Sequence, residues 1–379
     1  MSSPFSWCRF AGRTLAAALG CAGRPTKLVF VVTRRCFSRC TYCDIWKTKD
    51  TPGALASELT LPEIWRLAAA NPQLHWIDFT GGEPTDRPDF FEVVKAFADN
   101  CPDLLLVHFP TNGLATERIR RTVLHLHETI RARLVVTVSI DGPPALNDRL
   151  RGIHRDFAHA VATYAAVRAQ IGARNTFVGL TLHAHTGSAG LSSAQLVQDT
   201  FAAVNTELER RGEAPLDWAE LHANIPHFSQ HYYGNTACAG TDGFGGPAHR
   251  QEIAEALETL AAQPKAHTAL IARAVERIYR REARRYLAGD RPGVPCAALQ
   301  TTVHLSSRGE VYPCSIWDKP LGNIRDHGFR LQPIVEAARQ VGVRRTITCG
   351  GCPNCWTPCE AYPSILASPL RSLRSLLAR

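Results

Sequence analysis

Short runs of β-branched and aromatic residues alternate with helical periodicity over the first two thirds of the chain. Lys27–Thr33 (KLVFVVT) is apolar at nearly every position, which predicts a strand buried on both faces. Similar runs predict strands over Leu74–Thr80, Leu104–Phe109, Arg133–Ile140, Thr176–His183 and Asp217–Ala223. Between them, apolar stripes predict helices over Leu61–Ala70, Asp89–Asp99, Glu117–Thr129, Phe157–Ile171 and Ser193–Arg211. This alternation builds βαβ units on a parallel sheet, either doubly wound or curved into a barrel. In both cases ligands gather at the carboxyl ends of the strands. The pattern changes after about residue 230. Tyr232–Pro247, rich in Gly and aromatics, reads as loop, and Glu252–Ala261 and Thr268–Ala288 read as long helices. From Pro295 a small module follows: a hairpin over Thr301–Pro313 turning at Ser307-Arg308-Gly309, a helix over Leu331–Gln340, then a cysteine-dense knot. The expected divisions are an N-terminal extension (1–26), an α/β core (27–230), a helical connector (231–294), a cysteine module (295–362) and a tail (363–379).

With 379 residues, 45% of them hydrophobic and 20% charged, the chain has ample material for a buried core. No apolar run approaches the roughly 20 residues that span a bilayer. The net charge of +9 is uneven. Residues 1–27 hold Arg9, Arg13, Arg24 and Lys27 with no acid, and residues 361–379 hold Arg371, Arg374 and Arg379 with no acid. A nearly neutral body between basic tails argues against an extended nucleic-acid groove. In the C-terminal tail Leu366, Leu370, Leu373 and Leu377 recur at helical spacing with Arg371 and Arg374 off that stripe, and Pro369 suits a helix start. Such a helix either binds a membrane surface or a partner, or docks on the barrel. Phe5–Leu19 carries the same two readings. Arg13–Cys21 has the outline of a lipoprotein signal, but its apolar core falls short of the usual span of about 7–15 residues. The expectation is a cytoplasmic protein, peripheral to the inner membrane surface if its tails bind there.

Thirteen cysteines, an odd number, fit a secreted disulfide framework poorly. Seven of them fall into two tight groups, at 36–43 and 349–359, a spacing that suits thiolates converging on a metal or cluster. Cys36-Phe-Ser-Arg-Cys40-Thr-Tyr-Cys43 lies just beyond the first predicted strand. Three thiolates from one short loop can hold three irons of a [4Fe–4S] cube and leave the fourth open to bind a substrate. A zinc site is the alternative, although zinc usually takes four closed ligands including a distant pair.

This motif, with Tyr42 before its last cysteine and its place at a strand end, resembles the radical S-adenosylmethionine (SAM) superfamily, over about Lys27–Asn224. The resemblance implies a partial (β/α)6 TIM-like barrel. It also implies that SAM chelates the open iron and is cleaved by one-electron reduction to methionine and a 5′-deoxyadenosyl radical, which takes a hydrogen atom from a substrate. Further matches fall at successive strand ends. Thr80-Gly81-Gly82-Glu83-Pro84 is similar to the family's GGEP motif, whose backbone and Glu83 would meet the SAM amino group. Thr111-Asn112-Gly113 and Ser139-Ile140-Asp141-Gly142 end the third and fourth strands, and the resemblance places Asn112, Ser139 and Asp141 against SAM. Arg151, in Arg149-Leu150-Arg151-Gly152, would fork its carboxylate. Val178-Gly179-Leu180 would pack on the adenine. His183, His185, His222, His227, His231, Tyr232 and Tyr233 are chemistry-bearing residues without an assigned role.

Cys296-x12-Gly309-x4-Cys314 followed by Cys349-x2-Cys352-x2-Cys355-x3-Cys359 resembles the SPASM/twitch extension of radical SAM enzymes. It departs from the full pattern in its central gap and in having no cysteine after Cys359. By that resemblance Cys296, Cys314 and Cys359 would surround one auxiliary [4Fe–4S] cluster and Cys349, Cys352 and Cys355 a second. A single twitch-like cluster, or a structural zinc on part of Cys349–Cys359, are the other counts.

The expected activity is therefore reductive SAM cleavage and hydrogen abstraction, supplied with electrons by a flavodoxin or ferredoxin. The substrate is a peptide, or a small molecule or lipid. The core begins by residue 27, early for a peptide-recognition domain of the usual kind, which a separate recognition protein would then supply. A non-catalytic iron–sulfur electron-transfer or cluster-carrier protein is the rival.

Overall fold

A computed structural model describes Gly12, Ala16 and residues 24–182, 190–238, 246–264 and 270–377. Six parallel strands lie side by side in chain order: β1 (Lys27–Thr33), β2 (Trp76–Gly81), β3 (Leu106–Thr111), β4 (Arg133–Ser139), β5 (Thr176–Thr181) and β6 (Leu221–Asn224). The connecting helices are α1 (Leu61–Ala70), α2 (Phe90–Asn100), α3 (Thr116–Thr129), α4 (Pro144–Arg151), α5 (Asp156–Ile171) and α6 (Ser193–Arg210). In β3 and β4 the helix-facing positions are buried while alternate residues stay half-exposed. The sheet is thus packed on one face and leaves an accessible lumen on the other, as in an open barrel.

The C-terminal third extends this sheet. β7 (Thr302–Leu305) pairs in parallel with β1, and β8 (Glu310–Tyr312) and β9 (Gly322–Asn323) follow antiparallel. One apolar core runs across the junction, joining Leu28, Phe30 and Val32 to Val303, Leu305, Ile334 and Val335. The remaining helices are α7 (Pro247–Ala262), α8 (Leu270–Leu287), α9 (Leu331–Gln340), α10 (Val343–Cys349), α11 (Pro358–Ala367) and α12 (Pro369–Leu377).

Four sequence expectations are corrected. β2 and β3 begin two residues late, because Leu74 and Leu104 close turns onto Asn71 and Cys101 before the chain enters the sheet. Most of Asp217–Ala223 is not strand; Asp217 caps a 3-10 turn over Trp218–Glu220, and β6 starts at Leu221. The cysteine-dense knot holds two helices, α10 and α11. Lys27 does not belong to a basic tail: it is 2% exposed inside β1.

The C-terminal leucine stripe is also placed differently from a docking helix of the ordinary kind. α12 starts at Pro369 as expected, but Leu366 belongs to α11. Leu370, Leu373 and Leu377 face outward, while Ser372 and Ser375 are buried. His183, His185 and most of Phe5–Leu19 lie outside the described residues.

Candidate functional site

The loop after β1 carries Cys36, Cys40 and Cys43 and is held from three sides. At the end of β2, Gly82 N donates to Thr33 O at 2.9 Å and Glu83 N to Arg35 O at 2.8 Å. At the end of α4, Arg39 N donates to Arg151 O and Thr41 N to Leu150 O, both at 2.9 Å. From the connector, Tyr233 O accepts from Asp44 N at 2.9 Å. Glycines make this clamping feasible. A Cβ on Gly81 would lie 2.1 Å from Thr33 O, and one on Gly82 2.1 Å from Arg35 O. The backbone that the glycine pair admits is the chain's own cysteine loop.

The three thiols influence one another. Burial pushes Cys36 and Cys43 up to about 12, and the neighbouring Cys40 adds to both shifts. Burial raises Cys40 as well. Such thiols ionise only beside compensating positive charge, which the irons of a cluster supply. Among the described residues no three His, Cys, Asp or Glu side chains converge closely enough to grip a single ion.

Glu83, 1% exposed, is tied into the ends of β2 and β3. Its carboxylate accepts from Thr85 Oγ1 at 2.6 Å, Thr111 Oγ1 at 3.0 Å and Asn112 N at 2.7 Å. Tyr42, Asp141 and Arg151 form a single buried network beneath the cysteine loop. Asp141 Oδ2 accepts from Arg151 Nη1 at 2.8 Å and from the Tyr42 hydroxyl, and Oδ1 accepts from Thr181 N at 3.0 Å. Arg151 Nε also faces Asp156 at 3.3 Å. The guanidinium expected to fork a cofactor carboxylate is thus already engaged by two carboxylates of the chain. Ser139 is half-exposed and stands opposite Gly179 in register.

The lumen holds a polar chain that the motifs did not indicate. Lys27 Nζ lies 2.7 Å from Asp78 Oδ2 and 4.0 Å above the Trp76 ring. Asp78 Oδ1 accepts from Trp76 Nε1 at 2.7 Å and faces His108 Nδ1 at 3.3 Å. His108 Nε2 meets Thr137 Oγ1 at 3.0 Å. Lys27 Nζ also donates to Cys359 O at 2.7 Å. That carbonyl is free because its i+4 partner in α11 is Pro363, which has no N–H to give. Polar residues at alternate positions in WIDFTG, LVHFPT and RLVVTVS were the available signal.

The C-terminal cysteines group differently from the expected pairing. Cys296, Cys314, Cys352 and Cys355 line one cavity, together with Trp356 and Glu360. Burial pushes Cys296 up to about 12 and raises Cys314 and Cys355 well above the usual thiol range, and Cys296 lifts both of the latter further. Cys349 is exposed. Burial pushes Cys359, next to the cavity-lining Glu360, up to about 12, and Asp78 raises it further while Lys27 lowers it.

The Tyr232 and Tyr233 rings pack at a tilt of 42° with centroids 4.3 Å apart. The Tyr232 hydroxyl bonds Thr80 Oγ1, and burial raises the Tyr233 hydroxyl well above the usual range, with Cys43, Cys355 and Cys359 adding to the shift. His227 ties the connector to the module, its Nε2 accepting from Trp356 N at 3.3 Å, and burial lowers it to about 4. His231 pairs with Asp318 at 2.6 Å, and His222 lies against Phe177 with centroids 4.4 Å apart.

The chain is similar to known proteins to different extents. Residues 30–184 match the family described as the Radical SAM superfamily. The mycofactocin maturase MftC of Mycobacterium ulcerans is 29% identical over 208 residues, covering 52% of this chain and 51% of that protein. GTP 3′,8-cyclase of Vibrio cholerae is 34% identical over 128 residues, covering 33% of this chain and 36% of the enzyme. The chain thus spans about half, or less, of the length of these curated relatives. In overall fold it is similar to a solved structure of native anSMEcpe with bound AdoMet: TM-score 0.54 at 14% identity, covering 93% of this chain and 98% of that one. The same protein with AdoMet and the Cp18Cys peptide gives a TM-score of 0.52 at 15% identity, over 93% and 95% of the two chains.

Proposed function

We propose, on the premise that residues 30–184 belong to the radical SAM superfamily, that this protein is an enzyme that reductively cleaves SAM and removes a hydrogen atom from a substrate held in the barrel lumen. The observation that carries this reading is the Cys36–Cys43 loop, clamped at the mouth of the barrel by Gly82-Glu83 and Leu150-Arg151. Cys36, Cys40 and Cys43 would hold the SAM-binding [4Fe–4S] cluster, and Cys296, Cys314, Cys352 and Cys355 one auxiliary cluster. Bound there, the cluster and SAM supply one-electron chemistry and a hydrogen-abstracting radical. The chain's part is positional. Glu83 braces the ends of β2 and β3, and the Tyr42–Asp141–Arg151 network supports the loop carrying Cys40 from below. Asn112 and Ser139, at neighbouring strand ends, would contact SAM from the chain's side.

The lumen favours a neutral substrate segment. Lys27, the cation of the lumen's polar chain, is neutralised by Asp78. A polyphosphate would need several cations to spare. A peptide side chain or backbone fits better than a nucleotide, in keeping with the peptide-bound anSMEcpe structure. A flavodoxin or ferredoxin would supply the electrons.

The test is anaerobic reconstitution, reduction with dithionite and measurement of 5′-deoxyadenosine. Wild type should form it, and the triple variant C36A/C40A/C43A should not. An equal yield from both would overturn the proposal. Iron content should be about 8 per chain in wild type, at four per cluster. It should fall to about 4 in C352A/C355A and stay near 8 in C349A. About 12 in wild type would restore the two-cluster module.

A further inference from the structure

α12 presents its apolar stripe to the outside. Leu370, Leu373 and Leu377, at i, i+3 and i+7 on one face, are 76%, 51% and 72% exposed. A surface helix ordinarily turns such a stripe inward. Here the inward face is instead polar and small: Ser375 Oγ donates to Glu282 Oε1 at 2.6 Å, and Ser372 Oγ donates to Ile365 O at 2.7 Å. Half of the six large apolar side chains most exposed among the described residues lie on this one short helix. Clustering of that kind marks an interaction site rather than scatter.

The charge around the stripe has one sign. Arg371 and Arg374 flank it and are exposed, and residues 361–379 contain no acid. The neighbouring α8 adds exposed Arg277 and Arg285. Its two acids turn to protein contacts. Glu276 accepts from the Tyr362 hydroxyl at 2.5 Å, and Glu282 is 1% exposed and taken by Ser375 and Gly293 N. Exposed leucines beside exposed arginines complement a surface with an apolar interior and anionic headgroups. We propose that α12 docks this protein on an anionic lipid bilayer, with Leu370, Leu373 and Leu377 entering the acyl boundary and Arg371 and Arg374 meeting the headgroups. This goes beyond the proposed chemistry and does not depend on it.

The probe is flotation of the cluster-loaded, full-length protein with vesicles of phosphatidylcholine alone or mixed with phosphatidylglycerol. Wild type should float with the mixed vesicles in 50 mM salt, several-fold less with phosphatidylcholine alone, and less again as salt rises. L370Q/L373Q/L377Q should lose binding to both. R371Q/R374Q should lose the preference for anionic vesicles. Unchanged visible absorbance and unfolding temperature in the variants establish that they remain folded. Absence of wild-type flotation, or equal flotation of the leucine variant, overturns the proposal. So does a wild type that sediments as a dimer and ignores vesicles while the leucine variant is monomeric, since the face would then be covered by a second copy.

Discussion

Lys27 concentrates much of this molecule's organisation in one side chain. An ammonium 2% exposed is costly unless every donor is used, and here it meets a carboxylate, an aromatic face and a helix carbonyl. Removing it would leave Asp78 buried with its counter-charge gone. K27M should therefore cost about 3–5 kcal/mol, read as a lower urea midpoint at unchanged slope. The double variant K27M/D78L should recover part of that loss, because the uncompensated charge leaves with it. Equal stability of K27M and wild type would mean that the ion pair contributes nothing. The sequence opens the first strand at Lys27, yet its charge counts with the basic tail when residues 1–27 are summed. Its partners lie 51 and 332 residues away, a separation that periodicity cannot register.

Elements were legible where one physical cause acted alone. β1 was read to the residue because all seven of its positions are buried, so apolar character and strand coincide. α4 was missed because only Leu146 and Leu150 mark its buried apolar side, although Pro144 at its start and the left-handed Gly152 at its end were visible signals. α11 was hidden by cysteines and by Pro363. The cysteine loop was legible in its ligands but not in its support, because the clamps come from β2, α4 and the connector. Those clamps make a prediction. G82A would place a methyl 2.1 Å from Arg35 O and 2.9 Å from Cys36 Cβ, so the loop must move. The expected cost is about 1–3 kcal/mol, with iron falling from about 8 toward about 4 per chain as the first site empties. Full iron occupancy in G82A would show that the loop tolerates displacement.

At the scale of the molecule, the cysteine module is an extension of the barrel's sheet rather than an appendage. The expected boundary at residue 294 was drawn where composition changes, yet hydrogen bonding and burial both cross it. β7 covers the free edge of β1, residue by residue from Lys27↔Thr302 to Phe30↔Leu305. The core that contains Leu28, Phe30 and Phe79 also contains Val303, Ile316, Ile334 and Val335. Lys27 grips α11, and Arg325 reaches back to Glu63 of α1 at 2.6 Å. A chain ending at residue 294 would expose the β1 edge, uncover part of this core and strand Lys27 against Asp78. It would also remove the four thiols of the second cavity. Such a truncation should fail to give a monomer with a cooperative urea transition, whereas the full chain should unfold in one step with both iron sites intact. A truncated barrel that unfolds at the full chain's midpoint would establish that the two parts are stable separately. The geometry argues the reverse: the strand that delivers Cys36, Cys40 and Cys43 to the mouth of the barrel is held in place by β7, a strand of the module that contains the second cysteine site.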